Sequence, residues 1–390
     1  MTVLLSDNII SALGFTAEEN YRNVKQGVCG LKFFADHYDL PEPFMASEID
    51  DVRLENAFAK CSEAFSAVTC SEDKVNYSKL EKAVIVSVAD ALKSTGIEPF
   101  QKDVLFILST TKGNVFLLDE NEQENYECNQ LYLWRSAELI TRFFGNSNLP
   151  VVLSNACISG ASAITIAQRE LCSGRYKYVV VMGADMLSKF IVTGFQSFKA
   201  LSQDVCRPFD VARAGLNIGE AVATLILTER SESELHSGDV VLTASATRND
   251  ANHISGPSRT GEGSYLALRK ILEGIDTSEI AFVNAHGTAT PYNDEMESIA
   301  LTRSGLQGVP VNSLKGYLGH TLGTAGILES ILSTRALKDG TILKTYGFET
   351  LGVTNPLDIV RETRTTTKRH CLKMLSGFGG CNSAMLFTKY

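Results

Sequence analysis

Cys157 lies in S-N-A-C-I-S-G, directly after the apolar run Pro150-Val151-Val152-Leu153 and directly before a small-residue helix expected over Ala161–Leu171. The pattern predicts a strand, a sharp turn and a thiol at a helix N-terminus. Unpaired backbone N–H groups and the positive end of the helix dipole favour the thiolate there over a free thiol with a pKa of about 8.5. By itself such a cysteine is more often a small core hydrophobe than a nucleophile. Two later segments shift the balance: A-H-G-T-A-T-P-Y-N-D-E-M-E from Ala285 to Glu297, and N-S-L-K-G-Y-L-G-H-T-L-G-T-A-G from Asn312 to Gly326. Each follows an apolar β-type run and carries one histidine, so two of the chain's six histidines, His286 and His320, sit in Gly- and Thr-rich turns. A single loop histidine is usually structural, but turns held by strands are also where catalytic side chains sit. A nucleophilic thiol with two loop imidazoles points to covalent catalysis.

Those loops require strands and helices to hold them. Apolar runs at 104–108, 151–153 and 178–182 surround the expected Cys157 helix, and 221–227 closes a first half. Runs at 240–246, 280–283, 309–311 and 371–376 take the same places in a second half, which 384–388 closes. The turns at Cys157 and His320 look like counterparts, each a strand, a turn and a helix rich in Ala, Gly and Ser. Apolar runs alternating with helices predict sheets buried on both faces. The polar stretch from Thr228 to Ser237 separates the halves, which are expected at residues 1–232 and 233–390.

Together these segments resemble the β-ketoacyl-[acyl-carrier-protein] synthases of the thiolase-like superfamily. The likeness runs from Ala12-Leu13-Gly14 to Gly377-Phe378-Gly379-Gly380, and includes R-P-F-D-V-A-R-A-G-L-N-I-G-E from Arg207 to Glu220 and T-G-F-Q-S-F-K-A-L-S from Thr193 to Ser202. The resemblance implies an α/β fold of five layers, α-β-α-β-α, built from two pseudo-duplicated halves. It implies that Cys157 accepts the acyl group, that His286 and His320 are the two catalytic histidines, and that Lys315 is the family's lysine, paired with Glu329. It further implies that Thr288 and Thr290 bind a pantetheine arm and that Asp294 and Glu297 brace the first histidine loop. Phe378 takes the place of the gating aromatic whose N–H completes an oxyanion hole with that of Cys157, and Gly379 and Gly380 allow its backbone a close approach.

The implied reaction is a decarboxylative Claisen condensation: an acyl group waits on the enzyme as a thioester and is attacked by a carbanion made from malonyl thioester. Covalent capture divides one difficult step in two, and each passes through an oxyanion that backbone donors stabilise. The enolate needs neutral imidazole donors or a nearby cation; burial and an adjacent lysine keep imidazoles neutral. No cofactor or metal is implied. Expected partners are acyl carrier protein, acyl and malonyl thioesters, and a second copy or a paralogue in a dimer. A docking patch on Arg213 and Arg207, with Lys189 and Lys199 nearby, would reconcile an acidic carrier with the chain's net charge of −9. Asp210 is an alternative partner for Arg207.

Several departures bear on the substrate. The N-terminal glycine-rich opening is reduced to L-L-S-D-N-I-I-S-A-L-G, Ser-Asn replaces the commoner Asp-Thr before the nucleophile, and Cys381 replaces Thr after G-F-G-G. They favour a specialised route, such as aryl-polyene or other carrier-bound polyketide synthesis, over primary fatty-acid synthesis. A thiolase using Cys381 and a priming decarboxylase are rivals, as is a noncatalytic chain-length subunit. The last usually lacks the nucleophile. The segment 111–150, with the only tryptophan, Trp134, is the least family-like.

Composition agrees. A chain of 390 residues, 44% hydrophobic, can bury a large core. No run reaches the roughly 18 to 20 apolar residues that cross a bilayer, and the N-terminus lacks the marks of a secretion signal. Nine scattered cysteines without Cys-x-x-Cys spacing suggest a reduced, cytoplasmic protein without a zinc site. The acidic balance argues against nucleic-acid binding.

Overall fold

The computed structural model describes residues 1–38, 40, 42–65 and 75–390; of the nine cysteines, Cys70 lies outside them. Ten strands form the main sheet: β1 (Thr2–Ser11), β2 (Val104–Ser109), β3 (Val151–Leu153), β4 (Tyr178–Asp185), β5 (Ala221–Glu229), β6 (Val240–Asn249), β7 (Ile280–Asn284), β8 (Val311–Asn312), β9 (His370–Gly377) and β10 (Cys381–Lys389). Their order is β8-β7-β9-β10-β6-β1-β5-β4-β2-β3. The duplication is explicit in the pairing. In the first half β2 lies parallel between β3 and β4, then β5 and β1 add antiparallel. In the second, β7 lies parallel between β8 and β9, then β10 and β6 add antiparallel. The halves meet where Thr2 and Val3 of β1 pair with Leu242 and Val241 of β6.

Helix α1 (Lys79–Leu92) covers one outer face against β5, β1 and β4, and α3 (Glu262–Ile271) covers the other against β10 and β6, with α4 (Pro291–Arg303) beside it. Between the halves lie α2 (Ser159–Cys172) and α6 (Ala325–Lys338), each touching strands of both. This is the thiolase-like α-β-α-β-α arrangement. The middle layer is buried over most of its length, with Ile158, Ala161, Ile164, Ile327, Leu328 and Ile331 all in one core with strands of both halves.

Burial of the sheet between helix layers accounts for the legible apolar runs, in its parallel strands above all. The run at 309–311 is an exception: only Val311 and Asn312 are in the strand, because Pro310 has no N–H to give to a ladder and offers only its carbonyl, to Val283 N–H at 2.8 Å. Thr228 and Glu229, expected in the connection, continue β5. In the segment 111–150, α-helix Leu133–Phe143 packs inward while Trp134 stands exposed, stacked on Tyr132 with ring centroids 6.5 Å apart.

The two central helices cross at glycines. A Cβ on Gly326 would lie 2.4 Å from Ala161 N, and one on Gly160 would lie 2.9 Å from Gly323 O. Backbone, which cannot swing away, is the obstacle in both cases. Gly326→Ala is expected to lower stability by about 1–3 kcal/mol through overpacking, read as a lower denaturation midpoint. Gly308→Ala, with nothing within 4 Å of its Cβ, should stay within about 0.5 kcal/mol of the parent.

Candidate active site

Each functional loop leaves the carboxyl end of a strand, where open parallel sheets place ligands. The turn after β3 carries Cys157, with Ala156 at φ 45°. The loop after β7 carries His286, with Ala289 at φ 60°. The chain after β8 makes one short helix, α5 (Lys315–Leu318), before His320, and Leu322 follows at φ 50°. Left-handed backbone at a residue with a side chain costs of order 1–3 kcal/mol. All three catalytic turns contain such a residue.

The turns converge. The Cys157 sulfur and a ring nitrogen of each histidine lie within 4.8 Å of one another. The imidazoles of His286 and His320 meet edge to face, with centroids 5.0 Å apart at 83°. They line a cavity of about 500 Å³ together with Thr288, Thr290, Phe378 and Lys199. Thr288 and Thr290 share a hydroxyl hydrogen bond of 2.8 Å at its wall.

His320 is fixed by backbone. Its N–H donates to Asn217 O at 2.7 Å, its carbonyl accepts from Gly219 N–H at 3.1 Å, and its Nδ1 accepts from Leu322 N–H at 3.2 Å. An accepting Nδ1 puts the proton of a neutral ring on Nε2. That Nε2 has no partner among the described residues and is a donor available to a substrate oxygen. It offers no lone pair to a metal, so the Cys-His-His cluster suits hydrogen-bond donation better than metal ligation. Burial, then the charges of Lys315 and Lys373, hold His320 well below the usual histidine range; His286 is lowered by burial, Lys315, His320 and Lys373. Both rings are neutral at pH 7.

The supporting carboxylates divide their work. Glu297 accepts from the N–H groups of His286 and Gly287, each at 2.7 Å, and so grips the first histidine loop. Asp294 accepts from Phe209 N–H at 2.7 Å and also from the backbone N–H of Thr288 in the first histidine loop. Burial pushes Asp294 up to about 6; burial and then the neighbouring Asp294 push Glu297 up to about 7. Lys315 donates to Glu329 at 2.7 Å with both side chains enclosed. That is a buried pair and not a surface one. Burial alone would raise Glu329, but Lys315 and Lys373 hold it below the ordinary carboxylate range.

Two features escaped the sequence reading. Lys373, on β9, is fully buried against Glu329; a lone lysine inside C-L-K-M-L was its only signal. Asp185, at the end of β4, accepts from Thr110 Oγ1 at 3.0 Å, Thr111 N–H at 3.0 Å and Gly323 N–H at 2.7 Å, tying the His320 turn to the end of β2. Nothing local distinguishes that aspartate in the sequence.

Phe378 is 40% exposed at the cavity and packs on Phe195 and Phe198, with centroids 6.2 and 5.6 Å away. A Cβ at Gly377 would sit 3.2 Å from Cys157 N. The Gly377-Phe378 backbone therefore passes directly beside the nucleophile turn. Gly379 N–H donates to Ile254 O at 2.7 Å, fixing the following turn. Arg213 donates through Nη1 to the carbonyls of Asp210 and Gly352, at 2.9 and 2.6 Å. Asp210 accepts from the N–H groups of Ala212, Glu349 and Thr350, each at 2.8 Å. Arg207 makes no ion pair with Asp210 within 4.0 Å. Lys189 and Lys199 are exposed.

The thiol corrects an expectation. Protein surrounds the sulfur on every side but the cavity, and burial pushes it up to about 12, with Lys315 pulling in the opposite direction. Burial thus opposes the helix N-terminus and favours the thiol over the thiolate at rest. An acid group with a raised pKa is more protonated at any given pH, so alkylation of resting Cys157 by iodoacetamide should be slow at pH 7 and keep rising through pH 9, followed by intact mass. A plateau below pH 8 would show that the helix terminus outweighs burial.

The comparisons identify the relatives of this arrangement. The profile described as "Beta-ketoacyl synthase, N-terminal domain" matches residues 7–233, and "Beta-ketoacyl synthase, C-terminal domain" matches 240–349. The chain belongs to the β-ketoacyl synthase family. It is 26% identical to a putative mitochondrial 3-oxoacyl-[acyl-carrier-protein] synthase of Schizosaccharomyces pombe, over 98% of this chain and 97% of that one. It is 30% identical to 3-oxoacyl-[acyl-carrier-protein] synthase 2 of Vibrio harveyi, over 61% of each. Among solved structures, a β-ketoacyl synthase from Burkholderia phymatum superposes with a TM-score of 0.84 at 24% identity, covering 100% of this chain and 99% of that one. The ketosynthase ApeO in complex with its chain length factor ApeC, from Xenorhabdus doucetiae, gives 0.83 at 23%, covering 100% and 98%.

Proposed function

We propose that the protein is a 3-oxoacyl-[acyl-carrier-protein] synthase, an acyltransferase that joins a Cys157-bound acyl group to the carbanion of malonyl-acyl carrier protein. The convergence of Cys157, His286 and His320 on one cavity, with the Lys315–Glu329 pair behind them, carries this reading. The halves at residues 1–232 and 233–390 each contribute: the first supplies the nucleophile, the second both imidazoles.

The chemistry follows from the geometry. The Cys157 sulfur attacks the acyl thioester; its proton passes to the departing carrier thiolate by way of a neighbouring imidazole, and an acyl-cysteine remains. The relay speeds the step because burial favours the protonated thiol at rest. The amides of Cys157 and Phe378 hold the oxyanion. Malonyl thioester then enters along the wall bearing Thr288 and Thr290. Its C–C bond to the carboxylate breaks, carbon dioxide leaves, and the enolate oxygen takes hydrogen bonds from neutral His286 and His320. Carbon attacks the acyl carbonyl, the C–S bond to Cys157 breaks, and the released thiolate takes up a proton from water.

Carrier docking near Arg207 and Arg213 belongs to this reading, as does dimerisation. The complete nucleophile and histidine set supports a catalytic chain over a silent one. Ketosynthase–chain length factor complexes among the structural neighbours support pairing with a paralogue as a second reading. A carrier-dependent synthase of this kind would work in the cytoplasm, in specialised polyketide or aryl-polyene synthesis.

The test is intact-mass analysis with acyl carrier proteins bearing short, medium and aromatic acyl groups, before and after malonyl carrier protein. Cys157→Ala should give no adduct. His286→Ala and His320→Ala should spare some acylation but lose condensation by about a hundredfold or more. Condensation near the parent rate in either histidine variant would refute the assignment.

A further inference from the structure

Strand β9 places Lys373 between Leu372 and Met374 with its side chain wholly enclosed. Its Nζ lies 2.5 Å from Glu329 Oε2, an ion pair, and donates to the Ala285 carbonyl at 3.2 Å. The other oxygen of Glu329 is already taken by Lys315 at 2.7 Å. One carboxylate thus faces two ammonium groups, and none of the three side chains is more than 3% exposed. Burying a cation beyond what its counter-ion neutralises is costly. An apolar residue would serve the strand without that cost, so the packing of β9 does not explain a lysine here.

Its position does. Ala285, whose carbonyl Lys373 holds, immediately precedes His286, and Lys315 begins the turn that leads to His320. We propose, building on the ketosynthase reading, that Lys373 is a positioning residue for decarboxylative condensation. It turns the otherwise neutral Lys315–Glu329 pair into a buried net cation behind both imidazoles and ties that cation to the His286 loop.

Malonyl thioester brings one negative charge into the cavity. Loss of carbon dioxide transfers that charge to the enolate oxygen, so one anion is present before and after the bond breaks. A fixed cation compensates it throughout and leaves both imidazoles neutral. Acylation of Cys157 brings no such lasting charge, and its transient oxyanion falls to backbone amides. Lys373 therefore matters to condensation far more than to acylation.

The ionisable groups around Lys373 are Glu329 on α6, Lys315 on α5 and Glu297 on α4, with His286 and His320 in front. Glu297 accepts from the His286 and Gly287 amides, and its carboxyl, pushed up to about 7, adds a negative charge as pH rises through that value, ahead of and in the same direction as the loss of charge at Lys373. Burial, reinforced by Lys315 and opposed by Glu329, lowers Lys373 to about 8. The net charge is present below that pH and is lost as pH rises through it. Condensation should then decline on the alkaline side while acylation, which gains thiolate, does not.

The experiment compares wild type, Lys373→Met and Lys373→Arg from pH 6.5 to 9.5, timing Cys157 acylation by intact mass and condensation by β-ketoacyl product, with melting temperatures alongside. The Met variant should acylate within about threefold of wild type and lose condensation by tenfold or more, on the order of one preorganised electrostatic contact, with no alkaline decline left. The Arg variant should recover most of the rate and carry it to higher pH. Undiminished condensation in the Met variant overturns the role, as does an equal loss of both half-reactions with a matching fall in melting temperature. Should the Met variant fail to fold, a wild-type condensation rate that is flat from pH 7 to 9.5 overturns it as well. Wild type that acylates but never forms product overturns the ketosynthase reading, and this role with it.

Discussion

Everything at the site depends on two helices touching backbone to backbone. Gly160, near the start of α2, and Gly326, near the start of α6, leave no room for a Cβ on either side. Each helix follows one catalytic turn. Their contact therefore sets the distance between Cys157, from the first half, and His320, from the second. A methyl group at the crossing would act directly on a triad whose sulfur and two ring nitrogens fit within 4.8 Å of one another. Small residues here are not a weakness of the core but the reason the site can close.

The surrounding architecture supports that contact from both sides. Duplicated strand orders bury α2 and α6 between the halves, and the carboxyl ends of β2, β3, β7 and β8 open in one place. Asp185 and Glu297 then fix the loops by accepting backbone N–H groups, and leave the catalytic side chains uncommitted. The strained residues Ala156, Ala289 and Leu322 are held by bonds of their own: Ala156 O accepts from Ser159, Ala289 O accepts from Gly215 N–H, and Leu322 N–H donates to His320 Nδ1. This is preorganisation: donors are placed before charge develops, in a cavity where burial strengthens them.

Burial governs the electrostatics in opposite directions. It keeps His286 and His320 neutral, as an enolate-binding pair requires, and it also keeps Cys157 protonated. A site that favours neutral forms needs a route for the thiol proton and a separate source of positive charge. The imidazole beside the sulfur provides the first. The lysines around Glu329 provide the second, at a depth where water cannot screen them.

Much of this was legible along the chain. Apolar runs marked nine of the ten strands, because strands buried on both faces need continuous hydrophobicity; β1 alone was not singled out. The turns carrying Cys157, His286 and His320 followed from motifs that hold their meaning within a few residues, whereas the Lys315–Glu329 pairing followed only from the family resemblance. What failed depended on three dimensions. The helix N-terminus at Cys157 suggested a thiolate, but a pKa answers to all the surrounding protein, and that is known only after folding. Lys373 and Asp185 looked unremarkable because their partners, Glu329, Ala285, Thr110 and Gly323, come from other strands and helices. Residue types and short spacings thus determined which groups could react and which elements would carry them. The tertiary structure alone decided their ionisation and their neighbours, since burial and long-range charge are properties of the packed whole.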